Sequence, residues 1–132
     1  MLYIDGHFIH KEVQNKTIYE LTHHVQTGVI DLNPPYQRGL VWSLDQKREL
    51  IDTILWGVSV PSLYLRLLNL GMKTPYEVLD GKQRLSALVD FVEDRFDYNG
   101  IKYSQVPEVE RRRFEWETIG VTVVHKISDK GA

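Results

Sequence analysis

The stretch "LDGKQRLSAL", residues 79–88, sets Asp80, Gly81, Lys82, Gln83 and Arg84 side by side, with apolar spacing resuming directly behind them. Leu85, Leu88, Val89 and Val92 recur at i, i+3, i+4 and i+7, which predicts a helix beginning near Lys82. The preceding "YEVL" (76–79) reads as a strand, so the polar residues occupy a strand-to-helix corner. The first turn of a helix has N–H groups without intrahelical acceptors and a partial positive charge, and a glycine there lets a ligand approach the backbone. Lys82 and Arg84 add formal positive charge, and Gln83 adds an amide donor and acceptor. Such a corner suits a phosphate, with Asp80 able either to cap the helix or to hold a metal ion or hydroxyl. Capping by Asp80 ahead of a solvated first turn accounts for the same residue types without any ligand.

A second constellation, "NPPYQRGLVW" (33–42), lies between a short predicted strand and a capped helix. Its two prolines stiffen an extended loop that presents Tyr36, Gln37, Arg38 and Trp42. A Gln-Arg pair thus occurs twice, at 37–38 and 83–84, each time beside a strand end. If both loops lie on one side of the fold, Arg38 and Arg84 can converge on one anion. Arginine's planar fork binds phosphate oxygens bidentately, and Tyr36 or Trp42 can stack a base. Core packing is the simpler use of Trp42, and a surface ion pair the simpler use of Arg38.

The elements that must position these residues alternate along the chain. "LYIDGHFI" (2–9) reads as a hairpin with Asp5–Gly6 at its turn. "TIYELTHHVQTG" (17–28) has Thr17 and Glu20 at capping-box spacing and closes on Gly28. "VIDL" (29–32) is a short strand. "SLDQKRELIDTILWG" (43–57) has a second capping box in Ser43 and Gln46, with Leu44, Ile51, Ile54, Leu55 and Val58 expected to face the core. "SLYLRLL" (62–68) and "YEVL" are strands joined by a turn around Gly71. "FDYNGIKY" (96–103) reads as a hairpin turning at Asn99–Gly100, with Asp97 opposite Lys102 and Phe96 opposite Tyr103. A charged helix from Pro107 to Trp116 precedes a last strand, "GVTVVHKI" (120–127). The order is mixed α+β.

Composition narrows the function classes. A chain of 132 residues fits one domain spanning 1–132, and its 42% apolar content suffices for a core. A formal charge of −2 gives no global basicity for nucleic acid, although a local basic cleft is compatible with it. With no cysteine, disulfides, thiolate zinc sites and cysteine nucleophiles are excluded. The start "MLYIDGHFIH" has no signal-peptide core, and no apolar run reaches membrane-spanning length, so a cytoplasmic protein is expected. "GMKT" (71–74) lacks the upstream glycine of a P-loop. His23 and His24 would lie about 100° apart on a helix and His7 and His10 on opposite faces of a strand, so neither pair suits one metal. "RRR" (111–113), set among Glu108, Glu110, Glu115 and Glu117, reads as a solvated helix face with ion pairs rather than a nucleic-acid contact.

Taken together, "NPPYQRGLVWSLDQKRELIDTILWGVSVPSLYL…YEVLDGKQRLSALVDF" resembles the DUF262 family, the DGQQR-motif domain at the N-terminus of GmrSD-type type IV restriction enzymes. The resemblance runs from about Ile30 to Phe91. It rests on three motifs in order: the YQR-x(3)-W loop, the "LIDTIL-x-G-x-x-x-P" helix and exit, and the DGxQR corner. The later hairpin and the "VPEVERRRF" helix are similar to the family's continuation. The resemblance implies a ParB/sulfiredoxin-like α+β domain: a small mixed sheet with packed helices and hairpins. It implies that Asp80, Gly81, Gln83 and Arg84 contact or hydrolyse a nucleotide, with Gln37 and Arg38 from the facing loop. It further implies a role in nucleotide-stimulated defence against modified phage DNA. Two departures stand out. Lys82 replaces the motif's first glutamine with a point charge. The chain also ends where fuller members continue into a helical region and an HNH nuclease, and no HNH-like set is present here.

The expectation is therefore a nucleoside-triphosphate-binding domain, with hydrolysis to be tested, that senses nucleotide within a DNA-restriction system. It is not itself a nuclease. The expected site takes catalytic roles from Asp80, Gln83 and Arg84, and nucleotide contacts from Tyr36, Gln37, Arg38, Gly81, Lys82 and Arg84. Asp80 is the candidate ligand for Mg2+ accompanying the NTP. The chain is expected to be a stand-alone sensor or the N-terminal part of a longer protein, partnered by nucleotide and by DNA or a separate nuclease module. The alternative is a ParB-like module that binds DNA or a protein without catalysis. Base identity and oligomeric state stay open.

Overall fold

The computed structural model of the chain describes residues 2–4, 7–33 and 41–128. Its strands are β1 (Leu2–Ile4), β2 (His7–Thr17), β3 (Ile30–Asp31), β4 (Leu63–Leu67), β5 (Tyr76–Asp80) and β6 (Thr118–Ser128). Its helices are α1 (Ile18–Gln26), α2 (Leu44–Leu55), α3 (Lys82–Val92) and α4 (Glu108–Glu115). The strands make one sheet in the order β1-β2-β6-β4-β5-β3. β4 runs antiparallel to β5 and parallel to β6, and β3 runs parallel to β5. This is the small mixed α+β sheet that the sequence predicts.

Local chemistry explains most element ends. Thr17 Oγ1 accepts from Glu20 N at 3.0 Å and starts α1, while the Glu20 carboxylate pairs with Lys16 at 3.2 Å instead of closing a capping box. At α2 the box is complete: Ser43 Oγ accepts from Gln46 N at 3.3 Å, and Gln46 Oε1 accepts from Ser43 N at 2.8 Å. Each such cap contributes about 1 kcal/mol. Between the helices and the sheet lie Ile18, Leu21, Ile51, Leu63, Val78, Leu85, Leu88 and Val121, all essentially inaccessible to solvent. Burying each contributes about 1.5–3 kcal/mol.

Three expectations are corrected. β2 does not stop near Ile9 but continues to Thr17, because it pairs with β6 without interruption from His7↔Ser128 to Thr17↔Thr118. On α2, Ile51 and Ile54 are buried as expected, with Leu50 beside them, whereas Leu44, Leu55 and, beyond the helix, Val58 are exposed. On the same helix, Lys47 pairs with Asp90 of α3 at 2.9 Å, and Arg48 pairs with Asp97, beyond the end of α3, at 2.7 Å. Finally, "FDYNGIKY" forms the expected Asn99–Gly100 turn, with φ of 52° and 78°, but only the single bridge Tyr98↔Ile101. Asp97 accepts from Gly100 N and Arg48 rather than facing Lys102, and a short 3-10 turn, Tyr103–Gln105, follows at once. Phe96 and Tyr103 instead each pack on Phe91, with ring centroids 5.4 and 5.5 Å away.

Candidate functional site

The corner between β5 and α3 is a single residue. Gly81 sits at φ 95°, ψ 14°, and a Cβ there would lie 2.3 Å from Leu63 Cδ2 and 3.1 Å from Arg84 Nη2. Both the left-handed backbone and the packing of β4 therefore require glycine. Gly81 is also the N-cap of α3, and no side chain caps that helix among the described residues. The capping alternative for Asp80 is thereby corrected: Asp80 is the last residue of β5, exposed and in register with Tyr64. The first intrahelical bond runs from Leu85 N to Gly81 O at 3.0 Å, so the N–H groups of Lys82, Gln83 and Arg84 lie before the ladder begins.

Arg84 is held by one contact and left open at another. Its Nη2 donates to Ser62 O at 3.0 Å, which aims the guanidinium across the start of β4. Its Nε is buried and has no hydrogen-bond partner among the described residues. Leaving a buried donor unpaired costs about 1–3 kcal/mol, a cost that an anion accepting from that edge would remove. The side chain borders a cavity of about 310 Å³, which Trp42, Pro61 and the α2 residues Gln46, Glu49 and Thr53 also line.

Gln83 brings the second motif to the first. Its Oε1 accepts from Trp42 N at 3.1 Å, linking the first turn of α3 to the residue that closes the 33–42 loop. Trp42 is half-buried against the hydrophobic core and also walls the cavity, so the packing use expected of it is present alongside the site. Tyr36, Gln37 and Arg38 lie outside the described residues, and with them the expected meeting of Arg38 and Arg84. Lys82 is half-buried at the same corner. Among the described residues no group of three or more His, Asp or Glu stands close enough to hold a metal ion, so any Mg2+ at Asp80 would take its other ligands from a bound phosphate and water.

The sequence reading missed the residues that shape the cavity from α2 and the β4 entry. Gln46, Glu49 and Thr53 follow i, i+3, i+7 spacing, a polar stripe that could have been read as one helix face. The Ser62 carbonyl that holds Arg84 leaves no signal in the sequence. Elsewhere the structure agrees with the unadventurous readings. Gly71 lies in a turn tied by Asn69 Oδ1, and Arg112 pairs with Glu108 at 2.7 Å.

A family model described as "GmrSD restriction endonuclease, N-terminal domain" matches residues 18–127, from the start of α1 to near the end of β6. No curated protein and no solved structure matches the chain. Among the described residues no helix is long and apolar enough to cross a membrane.

Proposed function

This chain belongs to the family of GmrSD restriction endonuclease N-terminal domains, and from that premise we propose that its β5–α3 corner binds the phosphates of a nucleoside triphosphate within a DNA-restriction system. The observation that carries this reading is that Arg84, a residue lining a cavity, has a buried Nε with no partner among the described residues. An anion oxygen reaching Nε of an arginine already anchored at Nη2 would satisfy the buried donor and use one edge of its fork. The uncapped N–H groups of α3 and the half-buried Lys82 point to the same ligand charge. Glu49 repels phosphate, so the phosphates belong at the Arg84 side of the cavity and the base or sugar nearer α2 and Trp42.

Hydrolysis follows if water attacks the γ-phosphorus in line while the bond to the leaving diphosphate oxygen breaks, with the water's proton passing to a phosphate oxygen and on to solvent. Arg84 would stabilise the charge that builds on the phosphoryl oxygens. Asp80, exposed at the strand end, would be the residue to hold Mg2+ or to orient the water, and the ion would supply charge neutralisation. Gln83 has a positioning role. Because its carbonyl oxygen is committed to Trp42 N, a ligand that moves the first turn of α3 also moves the end of the 33–42 loop. That link is how occupancy of the corner would be sensed elsewhere.

Calorimetry with Mg2+ present tests the reading. A triphosphate should bind more tightly than its monophosphate, and Arg84→Lys should weaken it by roughly tenfold or more, since a bidentate fork is replaced by a point charge. Asp80→Ala should abolish turnover while leaving the melting temperature unchanged, because Asp80 caps nothing. A well-folded protein that binds no triphosphate overturns the proposal. Equal affinity for unrelated polyanions, with no discrimination among nucleotides, would favour a DNA- or protein-binding module instead.

A further inference from the structure

At the far side of the sheet, β2 and β6 set two histidines directly opposite one another. His10 and His125 are register partners in the antiparallel ladder, so their side chains leave the sheet on one face. Their ring centroids are 4.9 Å apart and their planes cross at 67°. Both rings are half-buried, and the nucleotide reading uses neither. They lie beyond the stretch of β6 that pairs with β4, which ends at Val124.

The separation has chemical meaning. A divalent transition ion binds imidazole nitrogen at about 2.0–2.1 Å, which places each ring centre about 3.2 Å from the metal. Two such rings at tetrahedral or octahedral angles then have centroids about 4.5–5.2 Å apart. The pair falls inside that window before any ion is added. We propose that His10 and His125 form a two-histidine site for a divalent transition ion of the zinc, nickel or copper class. Imidazole suits those ions, whereas Mg2+ takes oxygen ligands, so this site is separate in place and in chemistry from the phosphate corner. No third protein ligand completes it among the described residues, so water occupies the remaining coordination positions. Because one ligand comes from each strand, the ion cross-links β2 to β6 near the outer end of their ladder.

The site is tested on the whole chain, made without a polyhistidine tag. The protein has five histidines, and ring-proton NMR signals assigned on the wild-type protein would follow each of them separately. Substoichiometric Cu2+ should broaden His10 and His125 first, leaving His23 and His24 sharp. In calorimetry with NiCl2 or ZnCl2, His10→Ala and His125→Ala should each weaken binding by roughly tenfold or more, because each leaves a single unlinked imidazole. The double variant His23→Ala/His24→Ala should bind as the wild type does, and MgCl2 should leave both signals unchanged. Broadening that begins at His23 and His24, or undiminished affinity in either single variant, overturns the proposal and leaves the pair as an aromatic contact. The NMR pattern decides on wild-type protein even if a variant folds poorly.

Discussion

The two ends of α3 follow opposite rules. Around its C-terminal end, Phe91 packs against Phe96, Tyr103 and Phe114 at 5.4–5.5 Å, and the polar groups nearby are paired. Asp90 binds Lys47, Asp97 binds Arg48, Asp94 accepts from Ser104 N at 2.9 Å, Tyr98 donates to Asp52, and Tyr103 donates to Glu115. Hydrogen bonds to Ser104 hold Asp94, and those to Arg48 hold Asp97, below the ordinary carboxylate range. At the N-terminal end, among the described residues, the helix has no side-chain cap and Arg84, which lines a cavity, keeps a buried donor unpaired. A satisfied polar shell around buried rings is what stability selects. An unsatisfied donor at a cavity costs stability and is retained where a ligand completes it. One helix therefore joins an anchor to the proposed site.

Breaking the anchor should have the largest effect. Phe91→Ala removes the ring shared by three aromatic contacts and should cost about 3–5 kcal/mol, read from the midpoint of urea unfolding. If the ends are independent, the variant should bind triphosphate as the wild type does at temperatures where it is still folded. A parallel loss of affinity in the native protein would show that the aromatic cluster also sets the geometry of the corner.

Gly81→Ala breaks the comparison from the other end. The added Cβ would meet Leu63 Cδ2 at 2.3 Å, and Leu63 is fully buried, so its side chain must shift within the core. Added to the left-handed backbone, this should cost about 2–3 kcal/mol. The same Cβ would stand 3.1 Å from Arg84 Nη2, so nucleotide affinity should fall with stability, unlike in Phe91→Ala. Melting and calorimetry on the two variants side by side would separate anchor from site. A variant that melts like the wild type would mean that the corner is slack.

What the sequence made legible was whatever is written in local chemistry. Ser43 and Gln46 announce the start of α2, Asn99–Gly100 the turn, and Leu85, Leu88 and Val89 the buried stripe behind the polar corner. What it hid depends on distant partners. "HKEVQNKT" has no apolar alternation, and Val13 is 78% exposed, yet the segment is strand because β6 lies beside it. Leu44 and Leu55 share an apolar stripe with Ile51, yet the buried face runs through Leu50, Ile51 and Ile54 and leaves both leucines exposed, which only the packing partners decide. At the corner the residue types are readable in order, but the meaning of Gly81 needs Leu63, and that of Arg84 needs the Ser62 carbonyl. The cross-strand meeting of His10 and His125 requires the register of the longest ladder, because spacing along the chain compares a histidine only with its sequence neighbours.

The smallest effect lies in the anchor's response to pH. Burial, and then the Glu115 carboxylate, pushes the Tyr103 phenol well above the ordinary tyrosine range. In the unfolded chain that phenol titrates near 10. The folded state therefore keeps a proton that the unfolded state releases, and the associated stability is complete below about pH 10 and declines as pH rises above it. Tyr98, raised by its hydrogen bond to Asp52, adds to the same alkaline slope. Tyr103→Phe should remove part of that slope and cost about 1 kcal/mol at neutral pH, because Glu115 loses its donor. Urea midpoints from pH 8 to 11, taken as the difference between variant and wild type, cancel the lysines that titrate in the same range. Arg84→Gln, made at the other end of the helix, adds no group that titrates in that window and should run parallel to the wild type across it. A Tyr103→Phe profile that also runs parallel would show that the hydroxyl is not held protonated by its surroundings, and the polar closure of the anchor would then rest on its ion pairs alone.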